Sequence, residues 1–345
     1  MKTFKTFAMA FLAATSILFV SCDDKKPTTE DADKTALNAL ITECQTLADA
    51  ATPALYPQTA IDDFKTVIAA AIAIKDDASA TQTSVDNMVV NLTNAKTVFL
   101  ESAYGHIPAS ALILGMDFEN VTGNSFVAQG FRTLTVLLSE DSVTTTLPAV
   151  VTGHNGKGLF FENAAHLSIP NYTATDFEGS KLSIAVWLKT AETKSGNYIV
   201  SYNKWNSFKF QVEDHNKPFF TVHTAADGWC DADNESDQSV PENTWIHVVV
   251  SMDITEAGKE FLRFYINGQL TKEWDVTTKP GLAASTVMPN ADGKPLLIGI
   301  REIGNAFNTD TPNDFFHGIM DELKIYNIAL TDGQVAGLYN SESAN

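Results

Sequence analysis

Hydrophobic positions recur every three or four residues over the first third of the chain and every second residue over the rest. Leu37, Leu40, Ile41, Cys44, Leu47 and Ala48 line one helical face, and Pro53 and Pro57 punctuate the turn after it. Ile61, Phe64, Ile68, Ala71 and Ile72 line a second helix starting near Pro57 or Thr59. A third runs from about Thr83, with Val85, Met88, Val89, Leu92, Ala95 and Phe99 inward. Three amphipathic helices with short loops bury their stripes only against one another, so residues 35–103 predict a three-helix bundle.

After Tyr104-Gly105-His106-Ile107-Pro108 the period changes to two. Leu182 to Lys189, Phe208 to Val212 and Phe261 to Ile266 alternate, which is the pattern of strands. Asn267-Gly268 supplies the two positive-φ positions of a type I′ turn and predicts a hairpin. Short strands separated by Gly, Asn, Asp and Pro predict an antiparallel β-sandwich over 111–340, joined to the bundle by a linker at 104–110. Only Thr331 to Tyr339 reads as a closing helix. The fold class is therefore multidomain α and β.

The start of the chain gives an address. Lys2 and Lys5 precede an apolar run from Phe7 to Val20, too short for a bilayer span and built like a signal peptide. Ser21-Cys22 at its end resembles the bacterial lipoprotein signal, although Phe19 stands where that family usually has Leu. The resemblance implies cleavage after residue 21 and acylation of Cys22, with enough acyl chains for stable anchoring. Asp23-Asp24 resembles the surface-export tag of some Gram-negative lipoproteins. Residues 22–34, polar and proline-containing, then read as a tether, and the expected location is the outer membrane, surface-exposed.

Two further resemblances cover the rest. YPQTAIDDFKTVIAAA and VDNMVVNLTNAKTVF resemble the FIVAR-like three-helix modules of bacterial surface proteins, which implies a spacer or accessory unit. KLSIAVWLKT, NTWIHVVVSMD, FYINGQL, LLIGI and FFHGIMDELKIYNIALTDGQVAGLY occur in the order and spacing of the laminin-G-like (LamG) module of the concanavalin A-like jelly-roll group. That resemblance implies two face-to-face antiparallel sheets and a recognition module for glycans or proteins, often with one calcium ion. It also implies that Trp187 packs between the sheets. Trp245 and His247, one residue apart but for Ile246, are expected on one strand face as a structural lock.

Charge and cysteine usage narrow the partners. The sequence carries 23 basic and 42 acidic residues, a net −19. Removing residues 1–21 takes two lysines and no acid and leaves about −21, so nucleic acid and anionic headgroups are excluded by repulsion. Beyond Cys22 only Cys44 and Cys230 remain, with no Cys-x-x-Cys for zinc or redox chemistry. Cys44 lies on a helix stripe and reads as buried. Related jelly-roll glycosidases carry Glu-x-Asp-x-x-Glu on one strand, and no such string occurs in 111–340. Glu213-Asp214 and Asp321-Glu322 are adjacent, so on a strand their side chains point to opposite faces. No Gly-x-Ser-x-Gly elbow is present, so an enzyme is not expected.

Recognition residues come from the turns. DGWCDADNESD, residues 227–237, is expected in a loop of about twenty residues between strands near 219–224 and 245. It fails the EF-hand pattern, with Ser236 and Glu242 at the sixth and twelfth positions from Asp231. Trp229 can stack on a sugar ring while Asp231 and Asp233 accept hydroxyls, with Trp205 and Trp274 as further platforms. A weaker, non-EF-hand calcium site and a merely solvated acidic loop are the alternatives. Asp321 is expected to cap backbone amides or, with Asp117, to ligate one calcium ion. Three functions stand open: glycan binding, protein-protein adhesion, and an unrecognised glycoside hydrolase.

Overall fold

The computed structural model describes residues 31–139, 146–172, 180–203, 206–225, 228–283, 287, 293–303, 307–308, 311–312 and 314–343. The leader, Cys22 and Trp205 lie outside the described residues. Helices α1 (Thr35–Ala50), α2 (Gln58–Asp76) and α3 (Gln82–Glu101) form the bundle. Its core holds Leu37, Ile41, Cys44, Phe64, Ile68, Val85, Leu92 and Phe99, the positions that the 3.6-residue period selects. Phe64 and Phe99 stack with ring centroids 4.4 Å apart, and Tyr56 stacks on Phe99 at 4.3 Å. Thr81 caps α3 by accepting the Ser84 N–H, a donor that the helix itself leaves unmet. No described helix is long and apolar enough to cross a membrane.

The strands begin with β1 (Leu112–Met116), β2 (Ser125–Ala128), β3 (Leu134–Ser139), β4 (Ala149–Thr152), β5 (Lys157–Phe161) and β6 (His166–Ile169). The middle of the domain supplies β7 (Lys181–Thr190), β8 (Asn197–Tyr202), β9 (Phe208–Glu213), β10 (Lys217–Thr224), β11 (Gly228–Asp233) and β12 (Ile246–Asp253). Then come β13 (Phe261–Ile266), β14 (Gln269–Asp275), β15 (Leu296–Ile298), β16 (Phe307–Asn308), β17 (Thr311–Pro312) and β18 (Gly318–Tyr326), with helix α4 (Asp332–Ser343) last.

One antiparallel sheet, sheet A, has the order β14-β13-β12-β7-β18-β5-β4, with β1 also on β18; sheet B has the order β11-β10-β9-β8-β15-β6-β3-β2. Asn267 and Gly268 both have positive φ at the β13–β14 turn, as the dipeptide requires. The inner faces interdigitate Leu182, Ile184, Val186 and Leu188 of sheet A with Phe208, Phe210, Val212, Phe220 and Val222 of sheet B. Each such fully buried side chain contributes about 1.5–3 kcal/mol of transfer free energy.

The outer face of sheet A is covered too. Ala185, Val249 and Tyr265 pack under α4 with Leu330 and Val335. Trp187 alternates with the inner-face leucines and so falls on this outer side, buried beneath α4 instead of between the sheets. Its Nε1–H donates to Glu342 (2.8 Å), whose other oxygen accepts from Lys324 (2.5 Å). His154 stacks on the indole at 3.5 Å and His247 lies 5.3 Å from it; Trp245, expected on the strand with His247, stands just before β12 with its ring edge-on to His154 at 5.7 Å. The linker is also fixed: Gly105 lies so close to α4 that a Cβ there would sit 3.2 Å from the Gly333 carbonyl oxygen and 3.5 Å from Gly337 Cα. Gln334 Nε2 donates to the His106 carbonyl (2.7 Å), so the segment after the bundle rests on the helix that closes the sandwich.

Candidate functional site

The outer face of sheet B is built differently. On β9, Phe208, Phe210 and Val212 point to the core, so Lys209, Gln211 and Glu213 point out. Register then aligns Ser201, Lys209, Thr221 and Asp231 across four strands, and Tyr198, Gln211, Phe219 and Asp233 in the neighbouring row. A third row pairs His223 with Trp229 at the sheet edge.

The acidic stretch is therefore not the long loop the sequence suggested. Residues 228–233 form β11, because Cys230 and Ala232 are small enough to tuck under the sheet while Trp229, Asp231 and Asp233 face outward. Trp229 is 59 % exposed, with its ring 5.4 Å from that of His223. Asp231 accepts the Thr221 hydroxyl (2.5 Å), and its backbone carbonyl accepts from Lys279 (2.7 Å). Asp233 pairs with Lys217 (3.0 Å). Cys230 is a buried thiol.

Trp274 is brought near this edge but is not open. Its Nε1–H donates to the Asp233 carbonyl (2.7 Å), and the ammonium groups of Lys272 and Lys279 lie over its ring at 3.9 and 4.5 Å. Those contacts occupy the π-surface that a sugar would need. Of the three indoles expected as platforms, only Trp229 presents a largely solvent-exposed ring among the described residues.

Lys209 and Arg301 were not singled out in the sequence, although the polar places in FKFQVE mark the first. Lys209 is 3 % exposed, donates to Gln211 Oε1 (2.7 Å) and lies 4.9 Å from the Phe219 ring. Burial pushes its pKa down to about 8, against Asp231, Glu213 and Asp314, which favour the charged form. Asp314 and Arg301 form a buried ion pair (2.5 Å) over the same face, and Arg301 lines a cavity of about 150 Å³. The Arg301 contribution depends on a chain reversal beyond β15 and has no local sequence signal.

Asp321 and Asp117 have taken other partners. Asp321 is buried in sheet A, where Oδ2 accepts the Asn155 N–H (2.9 Å) and Oδ1 that of Glu322 (2.8 Å). Burial lifts its pKa to about 7, against those amide bonds. A Cβ at residue 153 would lie 2.4 Å from this carboxylate, which explains Gly153. Asp117 accepts the Glu119 N–H (3.2 Å) and Gln129 Nε2 (2.6 Å). Each oxygen thus meets an N–H, the wrong polarity for a cation, and among the described residues no three His, Cys, Asp or Glu side chains gather as a metal site. As arranged, these residues do not fit a calcium ion.

A family model described as the concanavalin A-like lectin/glucanases superfamily matches residues 161–336. Among solved structures, the binding domain of Paraclostridial Mosquitocidal Protein 1 is 13 % identical at a TM-score of 0.50, covering 68 % of this chain and 52 % of that one. Domain 4 of AbnA, an extracellular arabinanase from Geobacillus stearothermophilus in complex with arabinotriose, is 18 % identical at 0.47, covering 66 % and 98 %. The receptor binding domain of botulinum neurotoxin D is 14 % identical at 0.47, covering 68 % and 53 %. This chain spans about half the length of the two toxin chains, and the likeness to the mosquitocidal protein's domain, at 13 % identity, is one of fold. No curated protein matches the sequence.

Proposed function

This chain belongs to the concanavalin A-like lectin/glucanase superfamily, and from that premise we propose that it is a non-catalytic glycan-binding protein. The observation that carries the reading is Trp229, an exposed indole at the rim of sheet B with Asp231 and His223 on the same face. A flat apolar ring beside hydrogen-bonding side chains suits the two-sided chemistry of a sugar, C–H on its faces and hydroxyls at its edge. The two outward carboxylates of β11 already hold partners, Asp231 the Thr221 hydroxyl and Asp233 the Lys217 ammonium, which supports binding over hydrolysis by a paired acid and nucleophile. Acylation of Cys22 would hold the protein on the outer membrane, with the bundle as a spacer.

A protein partner is the second reading. Val127 on β2, 61 % exposed, and Leu137 on β3 project from the other end of sheet B, and a protein surface would cover them. The test is a glycan array probed with the mature chain carrying Cys22→Ser. Binding to a defined glycan that drops in Trp229→Ala supports the proposal. A folded protein that binds nothing across a wide panel overturns it.

A further inference from the structure

Where sheet B meets the turn after β15, a second feature faces outward. We infer that the cavity beside Arg301 is a subsite for one uncharged sugar residue, an inference that rests on the glycan-binding reading. Leu297 points out of β15, and with Pro295 and Ile303 it forms an apolar wall. Ile303 is 45 % exposed, so the wall reaches the mouth. The volume, about 150 Å³, is well below the roughly 300–1,000 Å³ of sites for drug-sized ligands, and suits a single ring.

Charge decides the class of sugar. Arg301 pairs with Asp314 (2.5 Å) and Lys294 with Glu302 (2.9 Å), two cations against two anions. The balanced pairs leave no net field to draw in a uronate or a sulfated ring, yet they place polar groups round the opening. Arg301 is 7 % exposed, and its Nε–H is buried without an acceptor in the described structure. A buried donor left unmet is costly, so a small turn of the guanidinium that brings this N–H to a hydroxyl oxygen in the cavity is favoured, while the apolar wall takes the C–H face.

The pocket and Trp229 lie on the same outer face but on different strands. From β15 through β8, β9 and β10 to β11 there are four strand spacings, about 19 Å. One ring could not touch both, so each can be broken alone.

The experiment is ligand-observed NMR of free monosaccharides, neutral hexoses and pentoses against the matching uronates, on the mature chain with Cys22→Ser. Neutral sugars should bind, and Arg301→Lys, which keeps a cation beside Asp314 but removes the Nε–H, should weaken them about tenfold or more. If that variant does not fold, Ile303→Ser at the exposed mouth should weaken them several-fold. Uronates binding more tightly than their neutral counterparts would overturn the inference. So would glycan binding that is lost in Trp229→Ala yet intact in folded Arg301→Lys, and that outcome would leave the broader reading standing. If the array finds no glycan and NMR finds no monosaccharide, both fall together.

Discussion

Trp187 and Trp229 sit on the outer faces of the two sheets, and their surroundings are opposites. Trp187 is 3 % exposed, with α4, His154 and Tyr339 over its rings and its N–H committed to Glu342. Trp229 is 59 % exposed on an edge strand. One indole is sealed beneath a helix and the other stands exposed at the rim of its sheet, beside outward residues such as Lys209, Gln211 and Thr221 that are themselves buried, so it is the edge of sheet B that offers an indole to a partner. The same residue type supplies stability in one place and a contact surface in the other.

The largest expected effect breaks the closed side. Trp187→Ala should cost about 3–5 kcal/mol, because it opens a cavity beneath α4 and takes the indole donor from one oxygen of Glu342. Urea unfolding of the mature chain measures it. A loss below about 1 kcal/mol would mean that α4 does not seal the sheet.

Trp229→Ala tests the open side and should do the reverse. Stability should stay within about 0.5 kcal/mol, as for other surface changes. Affinity for whichever glycan the array identifies should fall by roughly 1–3 kcal/mol. Equal affinity would remove the edge from the site and sharpen the case for the apolar residues at the far end of sheet B.

Periodicity exposed the bundle almost completely, since each helix has a single apolar stripe and a wet back. It could not separate the two faces of sheet A. In Leu182-Ser183-Ile184-Ala185-Val186-Trp187-Leu188 both sides are buried, so nothing in the alternation says which one meets the other sheet. The strand β11 hid for a different reason. Its inward residues are only Cys230 and Ala232, too small to mark a hydrophobic side among five carboxylates. The Arg301 cavity is assembled from distant segments and left no trace in any short window.

The smallest effect is a change of slope with pH, and it comes from one row across the closed face. Asp321 pairs with Trp187, and Trp187 with His247, along β18, β7 and β12. Burial raises the Asp321 carboxyl to about 7 from an ordinary 3.8. Folded chains therefore hold that proton longer than unfolded ones, and its contribution is full below about pH 4 and lost as pH rises towards 7. Burial, helped by the charges of Lys324 and His154, lowers His247 to about 3 from 6.5. Here the unfolded chain takes the proton first, so the contribution is full above 6.5 and lost as pH falls towards 3. Between about pH 4 and 6.5 the two slopes oppose each other. Asp321→Asn should leave the histidine slope, with stability rising with pH relative to the parent; His247→Gln should leave the carboxyl slope, with stability falling. Urea midpoints at pH 4.5 and 6.5 distinguish these signs, and two variants that simply run parallel to the parent would show that neither group titrates as its burial demands.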